Sequence, residues 1–142
     1  MAWLNFALLT VVFYSVFDLF VKLSSDKMNS YFNAFIINLV ATVVLLFFVI
    51  YAYFTGEKLF DVKPGGWLFS ILAGLAIGAA SIFFVKMFAT GTNLSVGVPL
   101  VRVGMVVIGS ILGIVLLKEG FSPKYILGVL LALAGLFLVV TK

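Results

Sequence analysis

Thr10, Tyr14, Asp18 and Lys22 recur at four-residue spacing, with Ser15 beside them. Residues four apart share a helix face, so this set forms one polar stripe. A carboxyl, a phenol and an ammonium on one stripe can bind a polar ligand and hand over a proton. Two further cations, Lys86 and Arg102, interrupt otherwise apolar stretches, and Asn38 with Thr42 makes a shorter stripe. A charge inside an apolar span is expensive and counts by default as a functional candidate. Asp18, Tyr14, Asn38, Lys86 and Arg102 are therefore the candidate substrate-binding or coupling residues. Each has a plainer alternative. Asp18 and Lys22 can pair with each other, Lys22 and Lys86 can reach the headgroups, and Arg102 is merely interfacial if its helix starts at Pro99. The cations outnumber Asp18, a balance that suits an anionic or zwitterionic group.

The elements that hold these residues follow from composition. Of 142 residues, 65% are hydrophobic and 10% charged, with a mean hydropathy of +1.34. A water-soluble domain is roughly 45–50% apolar and about 25% charged, so the solvent of this chain is lipid. About 20 apolar residues cross the hydrocarbon core, and five stretches approach that length: 2–21, 31–54, 67–90, 96–117 and 123–140. Backbone amides in lipid must be bonded internally, which selects helix. The predicted fold is all-α, an integral membrane unit of five transmembrane helices spanning 1–142 as a single domain. No basic n-region or small-residue cleavage site marks the N-terminus, so the first apolar stretch is expected to stay as a helix.

The connections carry the charges and turn residues: KLSSDKMNS (22–30), TGEKLFDVKPGG (55–66), GTNLS (91–95) and KEGFS (118–122). Consecutive spans run antiparallel, so Asp18, Lys22, Asn33, Asn38, Lys86 and Arg102 all fall toward one face of the bilayer. Loops two and four hold Lys58, Lys63, Lys118 and Lys124 against Lys22, Lys27 and Lys142 on the other side. Orientation follows Lys/Arg bias, and a count of four against three is almost none. Either other factors fix one orientation, or the chain inserts both ways and pairs antiparallel.

Small residues give a second pattern. Gly74 and Gly78 are four apart, as are Gly109 and Gly113, while Gly128, Ala132 and Gly135 share a face of the fifth span. Such faces allow close helix approach where lipid offers no hydrophobic drive. They serve packing within the chain or a dimer interface. The sixteen Phe are mostly lipid-facing filler, whereas Tyr14, Tyr31, Tyr51 and Tyr53 can line a cavity.

Several classes are set aside by composition. Without Cys or His there is no disulfide framework, no Cys/His zinc site and no His-based triad. No phosphate loop or nucleophile–base pair is visible, so no enzyme and no cofactor is expected. Nine basic residues spread over several loops make no nucleic-acid footprint.

Two segments carry a family resemblance: GLAIGAASIFFVKMFATGTNLSVGVPL, from Gly74, and LLKEGFSPKYILGVLLALAGLFLVV. They resemble the EamA domain of the drug/metabolite transporter superfamily, with a small-residue third helix, a Pro-containing start of the fourth, and a Gly-rich fifth. VFYSVFDLFVKLSS and NAFIINLVATVVLL fit the same plan with weaker identity. Lys118-Glu119 stands where the family has Gly-Glu. The resemblance implies a half-transporter, because family members commonly carry two such units in inverted orientation. A homodimer, antiparallel by implication, or a heterodimer with a second five-helix unit would restore ten helices and the inverted symmetry that alternating access uses. A small metabolite, drug or amino acid is then the expected substrate. An accessory membrane subunit that moves nothing, or a lipid-linked-sugar flippase subunit, are the alternatives. The expected location is the cytoplasmic membrane of a prokaryote.

Overall fold

A computed structural model describes residues 2–141. Five helices follow one another: α1 (Ala2–Ser24), α2 (Ser30–Phe54), α3 (Gly66–Ala89), α4 (Leu94–Leu116) and α5 (Pro123–Val140). Each is long and apolar enough to cross a membrane. Lys142, counted in the charge balance above, lies outside the described residues.

The local signals at the helix ends are readable. Asn29 caps α2, its side-chain oxygen accepting from the amides of Tyr31 (2.9 Å) and Phe32 (3.4 Å). Ser122 does the same for α5 through Tyr125, with Pro123 in the first turn. Gly91 ends α3 at φ 92, the left-handed conformation that glycine adopts without steric cost.

Two boundaries differ from the sequence expectation. α1 runs one turn past residue 21, to Ser24, so Lys22 lies in its last turn. The extension is held by the Ser25 hydroxyl on the Lys22 carbonyl (2.9 Å) and by Ser24 bonding across to Asn33. α4 starts at Leu94, not at Val96 or Pro99, with Asn93 as its N-cap. Pro99 therefore sits inside the helix and has no N–H for the carbonyl of Ser95. Arg102 lies eight residues beyond Leu94, roughly 12 Å along the axis. Its placement in a first, interfacial turn is thereby corrected.

The chain divides into two compact units, Met1–Gly91 and Thr92–Lys142. In the first, α1 and α2 both pack on α3; in the second, α4 packs on α5. The buried residues of the first unit concentrate at one end: Asp18, Val21 and Ser25 of α1 and its following turn, Asn33 and Ala34 of α2, Val85 and Phe88 of α3. Direct contacts bind all three helices there. Asn33 Nδ2 donates to Ser24 Oγ at 3.0 Å, and the Phe17 and Phe84 rings stack at 6.1 Å. Among the described residues no buried side-chain nitrogen or oxygen lacks a hydrogen-bond partner. That is the condition for burying Asp18, Ser25 and Asn33 in a lipid-bounded unit.

In the second unit the α4–α5 pair is joined by the Ser110 and Tyr125 hydroxyls, which hydrogen-bond directly. α4 ends on Lys118 at φ 54, the left-handed region. This turn brings the Glu119 amide to the Gly113 carbonyl (3.1 Å) and its carboxylate over Gly113, where an added Cβ would lie 2.5 Å from Oε2. Gly113 is thus a close-approach position. The other glycines of the small-residue pattern are different. An added Cβ at Gly74, Gly78, Gly109, Gly128 or Gly135 would meet nothing within 4 Å. Within their own units, these five positions are not held small by a neighbouring side chain.

Candidate functional site

Moving away from its closed end, the three-helix unit opens. One turn beyond the buried cluster, a groove of about 520 Å³ runs between α1, α2 and α3. α1 supplies Phe6, Leu9, Thr10, Phe13, Tyr14 and Phe17; α2 supplies Ile37, Asn38 and Ala41; α3 supplies Ile77 and Ser81. The geometry follows from the packing. α1 and α2 are joined by Ser24–Asn33 at one end and both lean on α3, so the space between them is left along the remaining length.

The polar groups of the groove are held by their own helices. Thr10 Oγ1 donates to the Phe6 carbonyl at 2.8 Å, and Ser81 Oγ to the Ile77 carbonyl at 2.8 Å. Asn38 Nδ2 donates to the Ala34 carbonyl at 2.7 Å, which directs its Oδ1 away from that carbonyl. These i to i−4 bonds fix the side-chain rotamers. Tyr14 meets Phe17 edge to face at 6.2 Å, an arrangement that suits the ring quadrupoles.

The structure sorts the five candidates into three places. Tyr14 and Asn38 line the groove together. Asp18, one turn along α1 from Tyr14, is 2% exposed within the closed end. Lys86 is at that same end, its Nζ donating to the Tyr31 hydroxyl at 2.6 Å and lying 4.1 Å from the ring centroid. Arg102 belongs to the second unit, in the third turn of α4. The stripe of Thr10, Tyr14, Asp18 and Lys22 therefore runs from groove to closed end.

The charged candidates lie apart from the groove. Lys22 Nζ lies 5.7 Å from the Phe88 centroid and Lys86 sits on Tyr31. Among the described residues, no charged side chain lines the groove. Of the other tyrosines, Tyr51 and Tyr53 are exposed on the outer surface. Ser81 is the lining residue that sequence reading passed over. It lies three residues beyond Gly78 in a run of small residues, and that spacing places it on the glycine face of α3.

Five apolar spans, with a groove between three of them and a polar stripe that leads into it, make this a multi-pass membrane protein. The chain belongs to the EamA-like transporter family, whose model matches residues 1–141. It is 28% identical over 137 residues to a protein of Sinorhizobium sp described as an uncharacterized transporter in the cobO 3′ region, covering 96% of this chain and 95% of that protein. No solved structure matches the chain significantly. It is an integral membrane transporter of the drug/metabolite type.

Proposed function

We propose that the chain moves a small metabolite, drug or amino acid across the membrane by alternating access, as a dimer, with the substrate seated in the α1–α3 groove. The observation that carries this reading is the groove itself. Tyr14 and Asn38, chosen as polar groups inside apolar spans, meet there with Thr10 and Ser81. A volume of about 520 Å³ lies within the range of small-molecule sites, roughly 300–1,000 Å³. Asp18, buried one turn away, is placed to couple movement to proton exchange without touching the substrate.

Two observations support the dimer. The Lys/Arg bias that would fix orientation is nearly absent. The Gly128/Gly135 face meets no side chain within its own unit, which leaves it available to a partner helix. An antiparallel homodimer supplies the inverted repeat that rocking-type access uses; a heterodimer with a second five-helix unit supplies it as well. A bacterial relative supports the cytoplasmic membrane of a prokaryote as the location.

The test is a ligand thermal-shift screen on the purified chain, followed by counterflow in liposomes with whichever compound stabilises it. A ligand that binds the folded protein raises its apparent stability by mass action. Tyr14→Ala and Asn38→Leu should each weaken that stabilisation and the counterflow. An accessory subunit would show neither stabilisation nor counterflow. A lipid-linked-sugar flippase would respond to the lipid-linked compound and not to soluble ones.

A further inference from the structure

We infer that the groove selects an amine: a substrate with an apolar or aromatic body and an ammonium head, with carboxylates and phosphates disfavoured. This rests on the groove being the substrate site. The argument is an accounting of hydrogen-bond donors. A Ser or Thr hydroxyl has one donor proton and two lone pairs, and an Asn amide has two N–H donors and a carbonyl oxygen. Thr10 and Ser81 spend their single proton on the carbonyls of Phe6 and Ile77. Both therefore offer only lone pairs to a ligand. Asn38 spends one N–H on the Ala34 carbonyl and keeps its Oδ1 as an acceptor. Its second N–H is a donor, and the Tyr14 phenol is both donor and acceptor. Counted together, the four polar residues of the lining present more lone pairs than protons.

The walls push in the same direction. Phe6, Phe13, Tyr14 and Phe17 all come from α1, so one side of the groove is aromatic. Ring faces carry partial negative charge and attract cations within about 6 Å. The protein already uses this twice at its closed end, where Lys86 lies over Tyr31 at 4.1 Å and Lys22 near Phe88 at 5.7 Å. Those contacts also hold the two native ammonium groups on rings that are not part of the groove lining, so neither supplies a counter-charge for an anion in the groove. A carboxylate there would find at most the Asn38 amide and the Tyr14 phenol as donors, among lone pairs and ring faces. An ammonium, with three donors and no acceptor, would meet Thr10 Oγ1, Ser81 Oγ and Asn38 Oδ1.

The experiment compares three probes with one body and different heads: 2-phenylethylamine, 2-phenylethanol and 3-phenylpropanoate. Saturable binding of each to the full chain in nanodiscs is measured against empty nanodiscs, which removes lipid partitioning. The expected result is at least tenfold tighter binding of the amine than of the carboxylate, with the alcohol between. Ser81→Ala combined with Asn38→Leu should reduce amine affinity at least fivefold and leave the alcohol within about twofold. A carboxylate that binds as tightly as the amine, and competes with it, would overturn the amine selection while leaving the groove as the site. Saturable binding that is indifferent to Tyr14→Ala and to the double substitution would place the site elsewhere and overturn the groove reading itself. Absence of saturable amine binding would also overturn the selection.

Discussion

Lys86 and Tyr31 join the last turn of α3 to the first turn of α2, through a 2.6 Å hydrogen bond and a cation–ring contact at 4.1 Å. A lysine near a helix end is expected to snorkel toward the headgroups. Here its head is claimed by a partner on the neighbouring helix, so the residue ties two spans together. The exposure of Tyr31, 57%, keeps the pair near the surface of the unit.

Lys86 and Tyr31 should therefore be energetically coupled. Polar contacts between membrane helices average about 0.6 kcal/mol in double-mutant cycles, and a partly exposed cation–ring contact adds a similar amount. Unfolding of Lys86→Met, Tyr31→Ala and the double variant in detergent titrations should give a coupling of about 1–1.5 kcal/mol. A lysine that only snorkelled would give additive effects. Tyr31→Phe keeps the ring and should retain part of the coupling.

The closed end should depend on packing more than on its hydrogen bonds. Phe88 is 1% exposed, whereas Asn33 meets Ser24 through its side chain alone, Nδ2 donating to Oγ at 3.0 Å and Oγ to Oδ1 at 3.3 Å. Phe88→Ala should cost about 3 kcal/mol through lost contacts and a cavity. Asn33→Ala should cost about 1 kcal/mol, because partners are also found in the membrane-bound unfolded state. The same detergent titration ranks them, and a larger loss for Asn33→Ala would mean the polar link dominates.

Much of this architecture was legible in the sequence because lipid imposes simple rules. Apolar length located five spans, with α2, α3 and α5 within a residue at each end. Four-residue spacing placed Thr10 and Tyr14 on the stripe that enters the groove. Local patterns failed where a distant partner decided the outcome. The end of α1 moved because Ser24 has Asn33 to bond to, and the pairing of Lys86 with Tyr31 was unreadable because the two lie 55 residues apart. The start of α4 was misjudged because Pro99 reads as a boundary, while the helix runs through it at the cost of one backbone bond. Ser81 was missed because a lone hydroxyl among Gly and Ala carries no periodic signal of its own.

Lys118 holds a left-handed backbone at φ 54, a conformation that glycine adopts without steric cost. A left-handed L-residue costs roughly 1–2 kcal/mol, and glycine gives back part of that gain through its freer unfolded chain. Lys118→Gly should stabilise the chain by about 0.5–1 kcal/mol. Lys118→Ala, which removes the same charge but keeps a Cβ, should give no such gain. Melting temperatures of both variants in one detergent separate backbone strain from charge.

Asp18→Asn keeps the shape of a side chain that is 2% exposed and removes the proton it can carry. If Asp18 couples transport to protons, uptake driven by a pH gradient should be lost. Counterflow, which needs no net proton movement, should continue. Thermal stability should change by only a few degrees, since the amide can replace part of the hydrogen bonding. Unchanged gradient-driven uptake would make Asp18 a structural group of the closed end.

Dual insertion is testable because the chain has no native cysteine. Ser25 lies in the first loop but is 2% exposed, so a thiol there would be shielded from reagent. Asp26 in loop one and Glu57 in loop two are both exposed. Replacing an acidic residue also disturbs orientation least, because Asp and Glu contribute little to the positive-inside bias. In intact cells, Asp26→Cys and Glu57→Cys should each label with an impermeant maleimide to about half the extent seen after lysis if the chain inserts both ways. A fixed orientation gives full labelling at one site and none at the other, and a homodimer would then have to be parallel. Adding two lysines to loop two should bias the insertion and shift labelling toward Asp26→Cys. In the antiparallel arrangement that bias should lower transport, and co-expression with a chain biased the other way should restore it.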